Sequence, residues 1–172
     1  MMLALALAAA SPAANPLSAN PLLGAWRMER LDAVMLATGR IVPNEAVNAA
    51  DQANGIIIYD PSGWMALEIG AGGRSPDKLG PTGRTRAIET GSYYAYYGRY
   101  ELDPAKRVVR HRITDSLIPP EIGITAIRHY VVDGDTLTLT SDEVRRPEGP
   151  SVNRITFRRL SGSPTTPTTG SN

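Results

Sequence analysis

With 172 residues, 42% of them hydrophobic and 20% charged, the chain is long enough to bury one core and too ordinary in composition to be disordered or fibrous. Its 18 basic and 17 acidic residues are mixed throughout and leave a net charge of +1, which excludes the dense basic stripe that nucleic-acid binding needs. There is no cysteine and there are two histidines, so disulfides, thiolate catalysis and Cys-ligated metals are excluded, and no metal or cofactor is expected.

Residues 1–14, MMLALALAAASPAA, are apolar and then small, in the manner of the h-region and cleavage zone of a secretory signal, with no Lys or Arg before Arg27. The run is too short to span a membrane. It predicts a secreted or periplasmic protein, the alternative being a cytoplasmic one with a frayed Ala-rich N-terminus. Residues 15–160 then form one domain, and residues 161–172, SGSPTTPTTGSN, a disordered tail.

The first strand starts at Gly24-Ala25-Trp26 and runs to about Leu31, after which residues 32–54 show little alternation and read as a long connection. Gly55-Ile-Ile-Ile-Tyr59 is a second strand, Asp60-Pro61-Ser62-Gly63 a type I turn, and Trp64 to Ile69 a third strand. In that third strand Met65, Leu67 and Ile69 face inward, and Glu68 faces solvent. A Gly/Pro-rich stretch over residues 70–83 follows, with a short helical turn near residues 84–91. The fourth strand, Ser92 to Leu102, holds five of the seven tyrosines.

Arg107 to Asp115 is the fifth strand, Ile124 to Val132 the sixth, Thr136 to Thr140 the seventh and Val152 to Leu160 the eighth. Asp133-Gly134 is a strong hairpin signal between the sixth and seventh. Connections two, four and six are tight, whereas one, three, five and seven are long. Eight antiparallel strands joined in this way form an all-β, up-and-down barrel with a closed base and an open mouth rimmed by loops. The rim loops 32–54 and 70–91, with Trp64, would gate that mouth.

The tyrosine strand has two unlike faces. Tyr93, Ala95, Tyr97, Arg99 and Glu101 should meet water, and Tyr94, Tyr96, Gly98, Tyr100 and Leu102 should face inward. A row of phenols around a glycine suits a lined cavity better than a solid core, because each hydroxyl needs a partner and Gly98 fills nothing. A small-molecule pocket is therefore expected, with Tyr96 and Gly98 at the depth of His111 and Arg128.

Several short stretches resemble the lipocalin-like domain family: Gly24-Ala25-Trp26, Gly55-Ile-Ile-Ile-Tyr59, Gly63-Trp-Met65, Ala95-Tyr-Tyr-Gly-Arg-Tyr100, Val109-Arg-His111, Asp133-Gly-Asp-Thr-Leu-Thr-Leu139 and Phe157-Arg-Arg-Leu160. Together they cover most of residues 22–160, with departures at Arg112 and at Pro120-Glu121. The resemblance implies an eight-stranded barrel around a small, mostly apolar molecule. It also implies that Trp26 packs at the base against Arg159, and it favours the Arg128/Tyr130 face of the sixth strand as the inner one, leaving His129 outside.

The ligand-lining candidates are therefore Met65, Tyr94, Tyr96, Tyr100, His111, Arg128 and Tyr130. His111 shares a face with Val109 and Ile113; it is a core histidine with one satisfied hydrogen bond or a polar anchor. Periodicity alone does not decide the inward face of the sixth strand, so Arg128 either stands opposite an acidic or carbonyl-bearing group of a ligand or is an exposed arginine. The leading expectation is a non-enzymatic carrier or sensor. The alternative is a cyclase, isomerase or hydratase of a polyketide- or terpenoid-like substrate, with His111 and Tyr96 as acid and base. No G-x-S-x-G elbow or phosphate loop occurs, which argues against a hydrolase triad or a nucleotide site.

Overall fold

A computed structural model describes residues 20–43, 54–70 and 93–161. The expected signal segment, the helical turn near residues 84–91 and the C-terminal tail all lie outside these residues.

The strands are β1 (Gly24–Met35), β2 (Ile41–Pro43), β3 (Asn54–Tyr59), β4 (Trp64–Gly70), β5 (Tyr93–Asp103), β6 (Val108–Ser116), β7 (Thr125–Asp133), β8 (Thr136–Ser141), β9 (Val144–Arg146) and β10 (Gly149–Arg159). Leaving out the short β2 and β9, strands that follow one another in sequence pair antiparallel, and β1 also pairs β10 from Trp26↔Arg159 to Met35↔Ser151, which closes an eight-stranded barrel. Closure leaves no long open edge for another chain to extend. The short β2 and β9 lie outside the ring, on the mouth-end segments of β1 and β10.

The alternation of loop lengths is present as read, and each tight turn has a local cause. Asp60 accepts a 3.0 Å bond from the Gly63 amide, and its carboxylate takes the Ser62 amide at 2.9 Å and the Ser62 hydroxyl. Gly63 sits at φ +85°, where a side chain would be strained. Asp103 takes the Lys106 amide at 3.2 Å in the β5–β6 turn, and Gly134 adopts φ +54° between β7 and β8.

Three expectations are corrected. Residues 32–54 are not one long connection: β1 runs on to Met35 and β2 follows. The alternation there is hidden by a bulge at Glu29–Arg30, where the β1–β10 register slips and the outward set shifts by one residue. Gly98 is not an empty place in a cavity wall. A Cβ there would meet the Arg112 carbonyl oxygen at 2.1 Å, because β6 bulges between Ile113 and Asp115 and presses its backbone against β5. Trp64 cannot gate the mouth, since it starts β4 at the closed end and faces outward. There its ring lies under the Arg99 guanidinium, 4.8 Å from the ring centre, and beside Tyr97.

The core follows from the alternation. Inward residues Ile57, Tyr59, Met65, Leu67, Ile69, Tyr96, Val109, Ile113, Tyr130, Leu137, Leu139, Ile155 and Phe157 form one buried cluster with Trp26 and Met28. The base is sealed by Leu22 and Trp26. The indole Nε1–H donates to the Leu22 carbonyl at 2.7 Å, and the Arg159 guanidinium covers the ring at 3.8 Å while donating to the carbonyls of Leu23 and Pro21. The expected Trp26–Arg159 contact is thus present, and it plugs the closed end of the barrel.

Candidate functional site

All seven residues expected to line the interior do face it, but they fall into two groups. Met65, Tyr100 and Tyr130 belong to the packed lower half. Met65 pairs Tyr59 and Gly98 and is 3% exposed. The Tyr100 hydroxyl accepts from Asn20 at 2.9 Å and donates to the Asp60 carbonyl at 3.1 Å. Tyr130 donates its amide to Arg107, at the β5–β6 turn. The Tyr100 hydroxyl is thus committed at the base.

Tyr94 and Tyr96 lie higher, while His111 is level with Tyr100 on β5 and the Arg128 backbone, opposite Val109, is one inward step nearer the base than expected. His111 is fully buried, and both ring nitrogens are engaged: Nε2 with the Tyr59 hydroxyl and Nδ1 with the Tyr96 hydroxyl, each at 2.8 Å. Its backbone pairs with Tyr100 on β5, so it sits one inward step below the expected level of Gly98, which pairs with Ile113; the imidazole bridges upward to Tyr96. The stagger arises from the bulge in β6. The expected single hydrogen bond is in fact two.

Burial, reinforced by the nearby Arg128 charge, lowers the His111 pKa to about 3, so the ring is neutral at physiological pH. Burial likewise raises Tyr96 to about 12, against the pull of Arg128, and holds Tyr59 well above its ordinary value. These groups act as hydrogen-bonding partners at neutral pH.

Arg128 is inward, as the alternation with Ala126 and Tyr130 requires, and only partly buried. Its guanidinium donates to its neighbour's carbonyl, Ile127, at 2.8 Å. Among the described residues no carboxylate lies within ion-pair distance of it. The guanidinium also acts as a donor toward the Tyr96 hydroxyl, and the rest of its five N–H donors can serve a guest.

Two residues were missed by the sequence reading. Tyr59 closes the trio with His111 and Tyr96, and Glu121 caps the mouth. Glu121 belongs to a short 3-10 turn, Pro119–Glu121, and its carboxylate accepts from Tyr94 and Ser116 at 2.9 Å each. Burial and this bond raise the Tyr94 pKa. Tyr59 was hidden by an all-apolar strand that gives no alternation. Its hairpin register opposite Met65 carried the signal, because paired residues share a face.

Other candidates do not join this site. His129 is exposed and lies 3.7 Å from Asp142, and Glu68 is exposed. Ser116 contacts Glu121 and both nitrogens of His111 are taken by phenols, so no Ser–His–acid triad is assembled. A groove of about 510 Å³ does exist, but outward residues such as Ala66, Glu68, Ala95 and Tyr97 line it, placing it on the outside of the β4–β5 wall. Among the described residues no cluster of His, Asp and Glu is arranged to hold a metal ion, and no helix is long and apolar enough to cross a membrane.

The interior is therefore an apolar barrel with a neutral phenol–imidazole–phenol bridge at mid-height, a guanidinium beside it and a carboxylate at the rim. A comparison with curated proteins found no significant match. The model of the lipocalin-like domain family matches residues 23–160, most of the chain and all of the closed barrel, and the chain belongs to that family.

Proposed function

We propose that the barrel binds a small, mostly apolar molecule that carries an acidic or carbonyl group, and that the polar end of that molecule is held by Arg128. A lipocalin-like barrel suits small-molecule binding in general, and one observation supports the finer reading. Arg128 is a partly buried cation on the inner wall, bonded to its neighbour's carbonyl and directed as a donor toward the Tyr96 hydroxyl, with no carboxylate partner among the described residues. Desolvating a guanidinium without a counter-charge is costly, so such a group invites an anion or a strong acceptor. The surrounding Leu67, Ile69, Ile113 and Ala126 offer an apolar body site, in keeping with pockets that are mostly greasy with a few placed polar groups.

Carriage is favoured over catalysis. An acid–base residue works best with a pKa near the operating pH, and His111 is held at about 3 with both nitrogens occupied.

Native mass spectrometry of the protein purified without denaturation tests the reading. A retained small molecule, or uptake of added dodecanoic acid at one per barrel, is expected. A protein that carries nothing and takes up neither dodecanoic acid nor any neutral apolar compound would overturn it.

A further inference from the structure

The Tyr59–His111–Tyr96 bridge does not balance its own protons. A neutral imidazole has one N–H and one bare nitrogen, and each phenol brings one O–H. Three donor protons thus meet at two links, one on each side of His111. Each link uses one proton. One phenolic proton is always left over.

Its position depends on the tautomer. With the proton on Nε2, His111 donates to Tyr59, Tyr96 donates to Nδ1, and the Tyr59 proton is the surplus one. With the proton on Nδ1, His111 donates to Tyr96, Tyr59 donates to Nε2, and the Tyr96 proton is free. Among the described residues neither phenol has a second hydrogen-bond acceptor. The Tyr94 proton goes to Glu121 and the Tyr100 proton to the Asp60 carbonyl, and Arg128, which acts on the Tyr96 oxygen as a donor, has no lone pair to take the surplus proton.

The two ends of the bridge differ in access. Tyr59 ends β3 at the closed base, beneath the edge of Tyr100 with ring centres 5.0 Å apart. Tyr96 is the mouth-side member, two residues below Tyr94 on the same face, with ring centres 5.6 Å apart, and it lies within the field of both Arg128 and Glu121. An acceptor coming from the mouth reaches Tyr96 first. Burial and Arg128 keep His111 neutral to about pH 3, so the ring stays a one-donor, one-acceptor bridge in the working range.

We propose that Tyr96 is a hydrogen-bond donor site for a ligand carbonyl oxygen, and that His111 switches to the Nδ1–H tautomer when that oxygen arrives. The ring gives up its Nε2 proton and takes one up at Nδ1 by exchange with water, Tyr59 turns its O–H toward Nε2, and the Tyr96 O–H turns from Nδ1 to the ligand. No bond to the ligand is made or broken. The site takes a ketone, ester or carboxyl oxygen and gains nothing from a hydrocarbon. The inference rests on the binding reading above and narrows it to acceptor-bearing guests.

The test uses 2-octanone and n-octane as probes, with affinity by titration and the His111 tautomer by long-range 1H–15N NMR. The chain has two histidines, so a His129→Gln variant assigns the signals. The ketone should bind about three- to tenfold tighter than the alkane, the size of one net hydrogen bond, and should move His111 toward Nδ1–H while the alkane does not. Tyr96→Phe should abolish the preference. Tyr59→Phe should retain it, since Tyr96 still has a proton to offer, and so guards against a fold defect in the first variant. If both probes bind equally and the tautomer stays put, or if Tyr96→Phe keeps the preference, the donor site is refuted and the binding reading stands. If neither probe binds, both readings fall.

Discussion

Replacing His111 with Gln should remove most of an acid-dependent loss of stability. The ring is packed against Tyr59 of β3, Tyr96 and Tyr100 of β5 and, through its field, Arg128 of β7, and among the described residues no carboxylate faces it to stabilise a positive charge. Its pKa therefore falls from 6.5 to about 3 on folding. Between these values the unfolded chain binds a proton that the folded chain refuses, so stability is full above pH 6.5 and drops as the pH falls. The slope approaches about 1.4 kcal/mol per pH unit below the unfolded value, for a loss of about 2.3 kcal/mol between pH 6.5 and 4.5. Urea unfolding followed by tryptophan fluorescence at half-unit steps measures it, and the difference between wild type and His111→Gln isolates it from the carboxylates. The wild type should lose about 2 to 3 kcal/mol more than the variant over that range. Parallel pH profiles, within about 0.5 kcal/mol, would refute the claim that His111 is buried and neutral.

Gly98→Ala should cost at least about 3 kcal/mol and lower the urea midpoint sharply, because the added methyl meets the β6 backbone rather than a side chain that can yield; a change below about 1 kcal/mol would contradict the close approach. Arg159→Leu should cost about 1 to 3 kcal/mol, combining the loss of the indole stacking with two backbone acceptors left unpaired at the base, and an unchanged thermal midpoint would show that the plug contributes nothing.

Much of the barrel was legible because hairpins announce themselves. Asp60-Pro61-Ser62-Gly63 and Asp133-Gly134 fixed two registers, and strict alternation in β5 and β8 fixed the faces, so the inward set around Tyr96 emerged from spacing alone. What stayed hidden was long-range geometry. The bulges in β1 and β6 leave no local mark, and the one in β6 decides that Tyr96 stands beyond the slip while His111 pairs with Tyr100. Gly98 shows the limit well: its presence in a tyrosine row was visible, but the reason, a neighbouring carbonyl where a Cβ would sit, belongs to a strand more than ten residues away. Tyr59 could have been reached through its pairing with Met65. Glu121 could not, since its role depends on a turn folding back over Tyr94 and Ser116.

The measurement that bears most directly on the function is the affinity for dodecanoate of the wild type and of Arg128→Leu, titrated side by side with dodecanol. Losing a charge-assisted contact worth about 1.5 to 3 kcal/mol should weaken dodecanoate about tenfold or more and leave dodecanol within about threefold. Equal loss for both, or no effect of the substitution on dodecanoate, would contradict a guest held by Arg128.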